Sequence, residues 1–265
     1  MSLYAPRSLD EALELRAERP EAVPVAGGTD LMVAVNFGRA HPEALLDLSR
    51  VEELKGWWRE DDLVFVGAGM TFARIERELA EFRPLAQAAH SVGSPQIRNR
   101  ATIGGNVATA SPAGDALPVL AAYEAEIVVG KVGVTRKVPW RAFFLGPKQT
   151  ALEPDELILG VEWRQADGPG SFAKVGPRNA MVIAVASVCL QRENGSVRVA
   201  LGSVAPTVIR AGHAEAYAAL GDDPAEFGRL AAADARPIDD VRGTAAYRRH
   251  VVEVLARRAW EGVRC

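Results

Sequence analysis

Two pairs of adjacent glycines carry the chemistry this sequence can offer. The first lies in Val25-Ala26-Gly27-Gly28-Thr29-Asp30-Leu31 and the second in Thr102-Ile103-Gly104-Gly105-Asn106. Two glycines at a strand end can turn several backbone N–H groups toward one point, which makes a nest for an anion. Thr29 adds a hydroxyl donor. Asp30 opposes a phosphate unless it points away or caps backbone amides. Taken alone, the first pair reads as a structural turn. The second sits in a longer polar, glycine-rich stretch, Ser91 to Asp115. There Thr102, Asn106, Thr109, Ser111 and Asp115 supply polar side chains, while Val92, Ile97, Ile103 and Val107 require burial. A loop that long without secondary structure of its own is uncommon and usually functional. Gly104-Gly105 lets a ligand approach the main chain. A self-satisfied Ω-loop is the plain alternative; two glycine-pair loops in one domain favour a ligand containing a diphosphate.

Other chemistries fail on residue type or spacing. Gly67-Ala68-Gly69 imitates a dinucleotide fingerprint, but Phe72 or Ala73 stands where a third glycine must allow close helix–strand packing. The four histidines, His41, His90, His213 and His250, have no metal-ligand spacing and read as surface residues. No Gly-x-Ser-x-Gly elbow, Walker A motif or paired-carboxylate motif is present, so no side chain is assigned as catalytic and none as a metal ligand. Asp239-Asp240 is a turn and helix cap. Lys174, one of few lysines, stands on a strand between Phe172 and Val175.

The elements that must position these residues follow from periodicity and punctuation. Ser8 with Glu11 opens a capped helix. Val23 to Ala26, Leu45 to Leu48 and Leu63 to Val66 are short strands. Thr71 caps a helix carrying Phe72, Ile75 and Leu79, and Leu85 to His90 is a second helix. Leu117 to Ala122 is helical; Glu126 to Val129 and Leu157 to Val161 are strands. Breakers at Gly168-Pro169-Gly170 mark a boundary. Beyond it Ser171 to Val175, Val182 to Gln191 and Ser196 to Val204 are strands, with Asn194-Gly195 as a hairpin turn. The last helix places Tyr247, Val251, Val254, Leu255 and Ala259 on one face. The reading is two α+β units, 1–165 and 170–265.

Composition bounds the setting. A chain of 265 residues at 48% apolar and 25% charged has ample core. A net charge of −3 without a basic run gives no sign of a nucleic-acid partner. No apolar stretch is long enough for a membrane helix, and the start lacks a signal-peptide core; the chain reads as cytoplasmic. Two cysteines, Cys189 and Cys265, make neither a disulfide framework nor a metal cluster.

At this point the segments resemble a known family. The AGGTDLM core within Pro24 to Val33 resembles the first FAD-binding segment of the medium subunits of molybdenum hydroxylases, the flavoprotein components of xanthine dehydrogenase and carbon monoxide dehydrogenase. GSPQIRNRATIGGNVATASPAGDALP, Gly93 to Pro118, is similar to their second segment. The likeness runs over nearly the whole chain, including Phe143 to Gly146, Leu201 to Pro206 and Arg242 to Arg249. It implies a vanillyl-alcohol-oxidase-type (PCMH) FAD-binding domain of two α/β subdomains over 1–165. A small C-terminal α/β domain with a three-stranded sheet and helices follows over 170–265. It also implies that Ala26 to Leu31 and Thr102 to Asn106 wrap the FAD diphosphate through backbone amides and the Thr29 and Asn106 side chains. Asp115 would bind the ribose or adenine end, and Ile158, with Leu159 beside it, would pack on the isoalloxazine. Lys174 would lie near the flavin, where a cation favours the anionic reduced form. Met181-Val182 stand before Ile183-Ala184, where nicotinamide-using members often carry an acidic residue. No histidine lies in either flavin segment, which points to non-covalent FAD.

The function implied is electron transfer within a heterotrimer or its dimer. A molybdopterin-binding large subunit oxidises substrate, a small subunit carries 2Fe–2S clusters, and this chain passes electrons to NAD, quinone or oxygen. Two alternatives stand beside it: a self-contained FAD-dependent reductase or oxidase, and a cofactor-free interaction or assembly protein.

Overall fold

The computed structural model describes residues 1–179 and 181–263. The chain opens with β1 (Ser2–Tyr4) and α1 (Leu9–Glu18), whose first turn is capped by the Ser8 hydroxyl accepting from the Glu11 N–H at 3.2 Å. β2 (Val23–Val25), α2 (Leu31–Asn36) and β3 (Ala44–Asp47) follow. These strands form a parallel sheet in the order β1-β3-β2, with α1 closing a small core of Ala12, Leu13, Leu46 and Leu54.

A second subdomain is built on β4 (Trp57–Glu60) and β5 (Leu63–Gly67). Five helices come next: α3 (Phe72–Glu78), α4 (Arg83–Ser91), α5 (Pro95–Arg98), α6 (Ile103–Thr109) and α7 (Ala116–Ala122). β6 (Glu126–Lys131), β7 (Val134–Pro139), α8 (Trp140–Phe143), the hairpin strands β8 (Phe144–Gly146) and β9 (Gln149–Thr150), and β10 (Leu157–Arg164) complete it. The sheet is antiparallel in the order β4-β5-β10-β6-β7, and a bulge between Ile158 and Gly160 interrupts its β10–β6 register. α7 is apolar all round and all seven of its residues are buried, so it acts as the central pin between this sheet and the rest of the molecule.

The C-terminal part pairs β11 (Gly170–Val175), β12 (Ala186–Glu193), β13 (Ser196–Gly202) and β14 (Ile209–Arg210) in one antiparallel sheet. The sheet expected with three strands therefore has a short fourth, because Ile209 and Arg210 return alongside Leu201 and Ala200. Asn194 and Gly195 take φ of 48° and 76°, as a two-residue hairpin of this type requires. α9 (Gly212–Ala218), α10 (Pro224–Asp234) and α11 (Ala245–Val263) cover one face of it.

Two further expectations are corrected. Gly93 to Asp115 is not a structureless loop but contains α5 and α6, capped by Ser94 and Thr102. Val182 to Val185 are not strand; β12 starts at Ala186, and Gly176 bends the chain there under the Val182 side chain.

Candidate functional site

The glycines of each pair have divided roles. A Cβ at Gly27 would stand 2.0 Å from the Arg100 carbonyl oxygen, so Gly27 lets the first segment lie directly on the second. Gly28 takes φ +72°, which turns the chain into α2. A Cβ at Gly104 would stand 2.5 Å from Ala68 Cβ and 2.7 Å from its carbonyl oxygen, so α6 packs its backbone on the turn after β5. Gly105 is exposed, and a Cβ there would meet only the Thr102 hydroxyl, at 3.1 Å. One glycine of each pair joins protein to protein; a Cβ on the other would meet only side-chain atoms. Gly67 and Gly69 of the rejected dinucleotide look-alike belong to the first kind, since a Cβ on either meets the Leu54 carbonyl.

The backbone amides divide in the same way. Among the described residues, the N–H groups of Gly27, Gly28, Thr29, Asp30 and Leu31 donate to no protein acceptor. Half-buried amides in such a row require an outside acceptor. In the second segment Ile103 N–H donates to the Met70 carbonyl at 3.0 Å, Gly104 N–H to Ala68 at 2.9 Å and Asn106 N–H to Thr102 at 3.0 Å. Gly105 N–H donates to the Thr102 hydroxyl at 3.1 Å. Amides are thus free across the first segment, while in the second those of Ile103 to Asn106 are engaged and only the Thr102 N–H has no protein acceptor; the resemblance implied amides from both. What the second segment offers is side chains. Asn106 Oδ1 accepts from Ala116 N–H at 3.3 Å, which leaves its NH2 group to donate elsewhere and ties α6 to Asp115.

Asp115 and Lys174 meet across the two halves of the molecule. Lys174 Nζ donates to Asp115 Oδ2 at 2.6 Å and to the Val182 carbonyl at 3.2 Å. Both side chains are about nine-tenths buried. Burial pushes the Asp115 carboxyl up to about 6, against the opposing pull of the Lys174 charge and hydrogen bond and of the Ser91 hydroxyl. Its second oxygen, Oδ1, is buried and accepts no hydrogen bond from the protein. A carboxylate held dry with one open oxygen is a group waiting for a donor. The resemblance implied that Lys174 and Asp115 address different ends of the cofactor; they stand side by side.

The remaining expected residues fall into place around these. Val25 and Ala26 are half-buried at the end of β2, with Thr29 and Leu31 half-buried and Asp30 exposed beyond them. Ile103 is fully buried and Ile158 is 7% exposed within the main core, while Leu159 is half-exposed, with its carbonyl accepting from Ala68 N–H at 2.9 Å. Thr109 is half-buried on α6. A cleft of about 520 Å³ opens where Lys174 meets the end of α4, lined by Gln87, His90, Arg98, Phe172 and Val182 among others. Sequence reasoning passed over Gln87, whose Oε1 accepts from the Phe172 N–H at 2.8 Å and fixes β11 against α4. No sequence signal linked the two, since they lie 85 residues apart. Among the described residues no cluster of histidine, cysteine, aspartate and glutamate could hold a metal ion.

The acceptorless amides of the first glycine segment and the open oxygen of Asp115 suit a dinucleotide cofactor, and the comparisons with known proteins specify it. Residues 1–163 match the family model for the FAD binding domain in molybdopterin dehydrogenase, and residues 171–263 match the CO dehydrogenase flavoprotein C-terminal domain. The carbon monoxide dehydrogenase medium chain of Hydrogenophaga pseudoflava is 32% identical over 97% of this chain and 94% of its own length. The nicotinate dehydrogenase FAD-subunit of Eubacterium barkeri is 35% identical over 69% of this chain and 65% of its own length. A solved structure of carbon monoxide dehydrogenase from H. pseudoflava superposes with a TM-score of 0.90 at 31% identity, covering 99% of this chain and 96% of that one. The chain belongs to the FAD-binding subunits of the molybdenum hydroxylase family, and FAD is its cofactor. The free amides of the first segment and the open oxygen of Asp115 fit that group.

Proposed function

We propose that this chain is the electron-transfer subunit of a molybdenum-containing hydroxylase or dehydrogenase complex acting in the cytoplasm. Residues 1–165 form its FAD-binding domain and 170–265 its C-terminal domain. Electrons arrive from the 2Fe–2S clusters of a small partner subunit, after substrate oxidation at a molybdopterin-binding large subunit, and leave to NAD, quinone or oxygen. The observation that carries this reading is the row of five acceptorless amides, Gly27 to Leu31, laid against the second glycine segment. That arrangement offers donors to a diphosphate.

FAD, when bound, supplies a centre that takes electrons one at a time and gives them up in pairs. The chain's residues supply the rest. The amides of Gly27 to Leu31, with the Thr29 hydroxyl and the Asn106 NH2 group, bind the diphosphate; Gly105 leaves room for it. Asp115 Oδ1 accepts a hydrogen bond from the cofactor, and Lys174 holds that carboxylate in place while placing a cation at the cleft. Leu159, half-exposed, presents an apolar wall, with Ile158 packed behind it in the core.

The two cysteines of the sequence are too few for the four thiolates a cluster needs, and Cys189 is fully buried. These residues hold no cluster themselves, so in this reading the electrons come from a cluster outside them. Affinity purification of the tagged chain from its native source, with metal and flavin analysis, tests this. Molybdenum, iron and FAD in one assembly is the expected result; a flavin-loaded chain recovered with neither metal overturns it.

A further inference from the structure

We propose that Arg248, in the first turn of α11, is a positioning residue for the cofactor site: its buried guanidinium holds Lys174 against Asp115. That the pair serves FAD rests on the reading above. Arg248 is 3% exposed. Its Nη2 donates to Asp240 Oδ1 at 2.6 Å, and its Nη1 donates to two backbone carbonyls, Val185 at 2.6 Å and Ser203 at 2.9 Å. These two residues flank the paired ends of β12 and β13. A buried ion pair adds little stability over apolar side chains of similar volume. What an apolar side chain cannot do is fasten two carbonyls from separate segments at once.

The two carbonyls lead to the two members of the pair. Val185 N–H donates to the Val175 carbonyl at 2.7 Å, next to Lys174 on β11. Val182, on the same stretch, offers the carbonyl that accepts from Lys174 Nζ at 3.2 Å. Val182 to Val185 belong to no helix or strand, so bonds such as these set their place. On the other arm, Ser203 N–H donates to the Pro112 carbonyl at 2.7 Å, and Pro112 lies on the link between α6 and α7 that carries Asp115. Ser203 takes φ +64°, a left-handed backbone that serine keeps only where its surroundings fix it. Here its N–H and its carbonyl are both tied. The turn before α11 closes on Val185 as well: a Cβ at Gly243 would stand 3.4 Å from Val185 Cγ1, and Gly243 bridges to Asp240. The Arg242 to Arg249 stretch thereby reaches the cofactor site from the far end of the chain.

The test uses the flavin-stripped full chain as wild type, Arg248→Met, Lys174→Met and the two substitutions combined. Acetylation by acetic anhydride far below the melting temperature, read by mass spectrometry, follows Lys174 against Lys55, Lys131, Lys137 and Lys148 in the same molecule. In Arg248→Met the Lys174 rate should rise by about tenfold or more while the other lysines keep theirs. A lowered melting temperature with Lys174 still protected makes Arg248 a packing residue only and overturns the proposal. Fluorescence titration with FAD tests the link to the cofactor. Arg248→Met and Lys174→Met should each weaken FAD binding, and together by less than the product of their separate factors. Factors that multiply overturn the proposal, because Arg248 then acts without Lys174. FAD binding unchanged in Lys174→Met removes the reading that the pair faces the cofactor, and the acetylation result still decides Arg248. If Arg248→Met does not fold, Arg248→Lys takes its place, since an ammonium keeps the charge for Asp240 but not the guanidinium fork. Faster Lys174 acetylation in that variant supports the proposal, and an unchanged rate refutes it.

Discussion

Lys174→Met probes the buried ion pair at the cleft. The variant removes the only cation within hydrogen-bond reach of Asp115 among the described residues, 2.6 Å away, and leaves a buried carboxylate without its counter-charge. Deleting one partner of such a pair costs about 3–5 kcal/mol, because the other charge is left without compensation. Even with Lys174 present, burial holds Asp115 at about 6 against 3.8. Two units correspond to ~3 kcal/mol of difference between its protonation states. A carboxyl whose folded value is raised contributes stability that is complete below pH 3.8 and is lost as pH rises through about 6. Removing Lys174 raises Asp115 further, so the loss extends to higher pH. Lys174→Met with Asp115→Asn removes both charges and is expected to cost less than the sum of the single variants by about 2–3 kcal/mol. Urea unfolding of the four proteins, followed by circular dichroism at pH 5 and pH 8, completes the cycle. The gap between Lys174→Met and the double variant should widen from pH 5 to pH 8. Additive costs, or a gap that ignores pH, would refute the argument that the pair is dry and coupled.

Three other outcomes follow from the packing. Gly104→Ala forces a Cβ to 2.5 Å from Ala68 Cβ, and a melting temperature lowered by an equivalent of about 1–3 kcal/mol is expected. An unchanged melting curve would contradict the contact. Cys189 is fully buried and its thiol is pushed up by that burial, so in a Cys265→Ser background the folded protein should not react with a thiol reagent until denatured. Arg210 pairs with Glu124 of the FAD domain and Glu215 of α9, with a side chain 19% exposed. Arg210→Met should lower stability by about 2–4 kcal/mol and expose the Gly168–Gly170 connection to protease, which limited proteolysis measures.

Much of the frame was legible because local chemistry dictated it. Ser8 caps α1 as its spacing with Glu11 required, Asn194-Gly195 forms the only kind of turn its neighbours allow, and Phe72 and Ile75 bury one face of α3. α5 and α6 were hidden because Gly104 and Gly105 weaken a helix signal, although Ser94 before Pro95 and Thr102 before Ile103 were caps in plain view. β4 and β7 were missed as edge strands whose exposed faces carry polar side chains such as Arg59, Glu60, Thr135 and Lys137. At the site, the glycine pairs were visible but their division was not: which glycine lies against protein backbone depends on Arg100 and Ala68, placed by tertiary packing. The Asp115–Lys174 pair spans 59 residues and no periodicity could announce it.

Gly105 puts the site assignment at greatest risk. Gly105 is exposed on α6, and a Cβ there approaches only the Thr102 hydroxyl at 3.1 Å, so Gly105→Val leaves the fold intact while filling the space given to the diphosphate. The measurement is the visible flavin absorbance per chain of purified wild type and Gly105→Val, with circular dichroism confirming the fold. One flavin per wild-type chain and none in the folded variant is the predicted result. Flavin retained by Gly105→Val at wild-type affinity would contradict it.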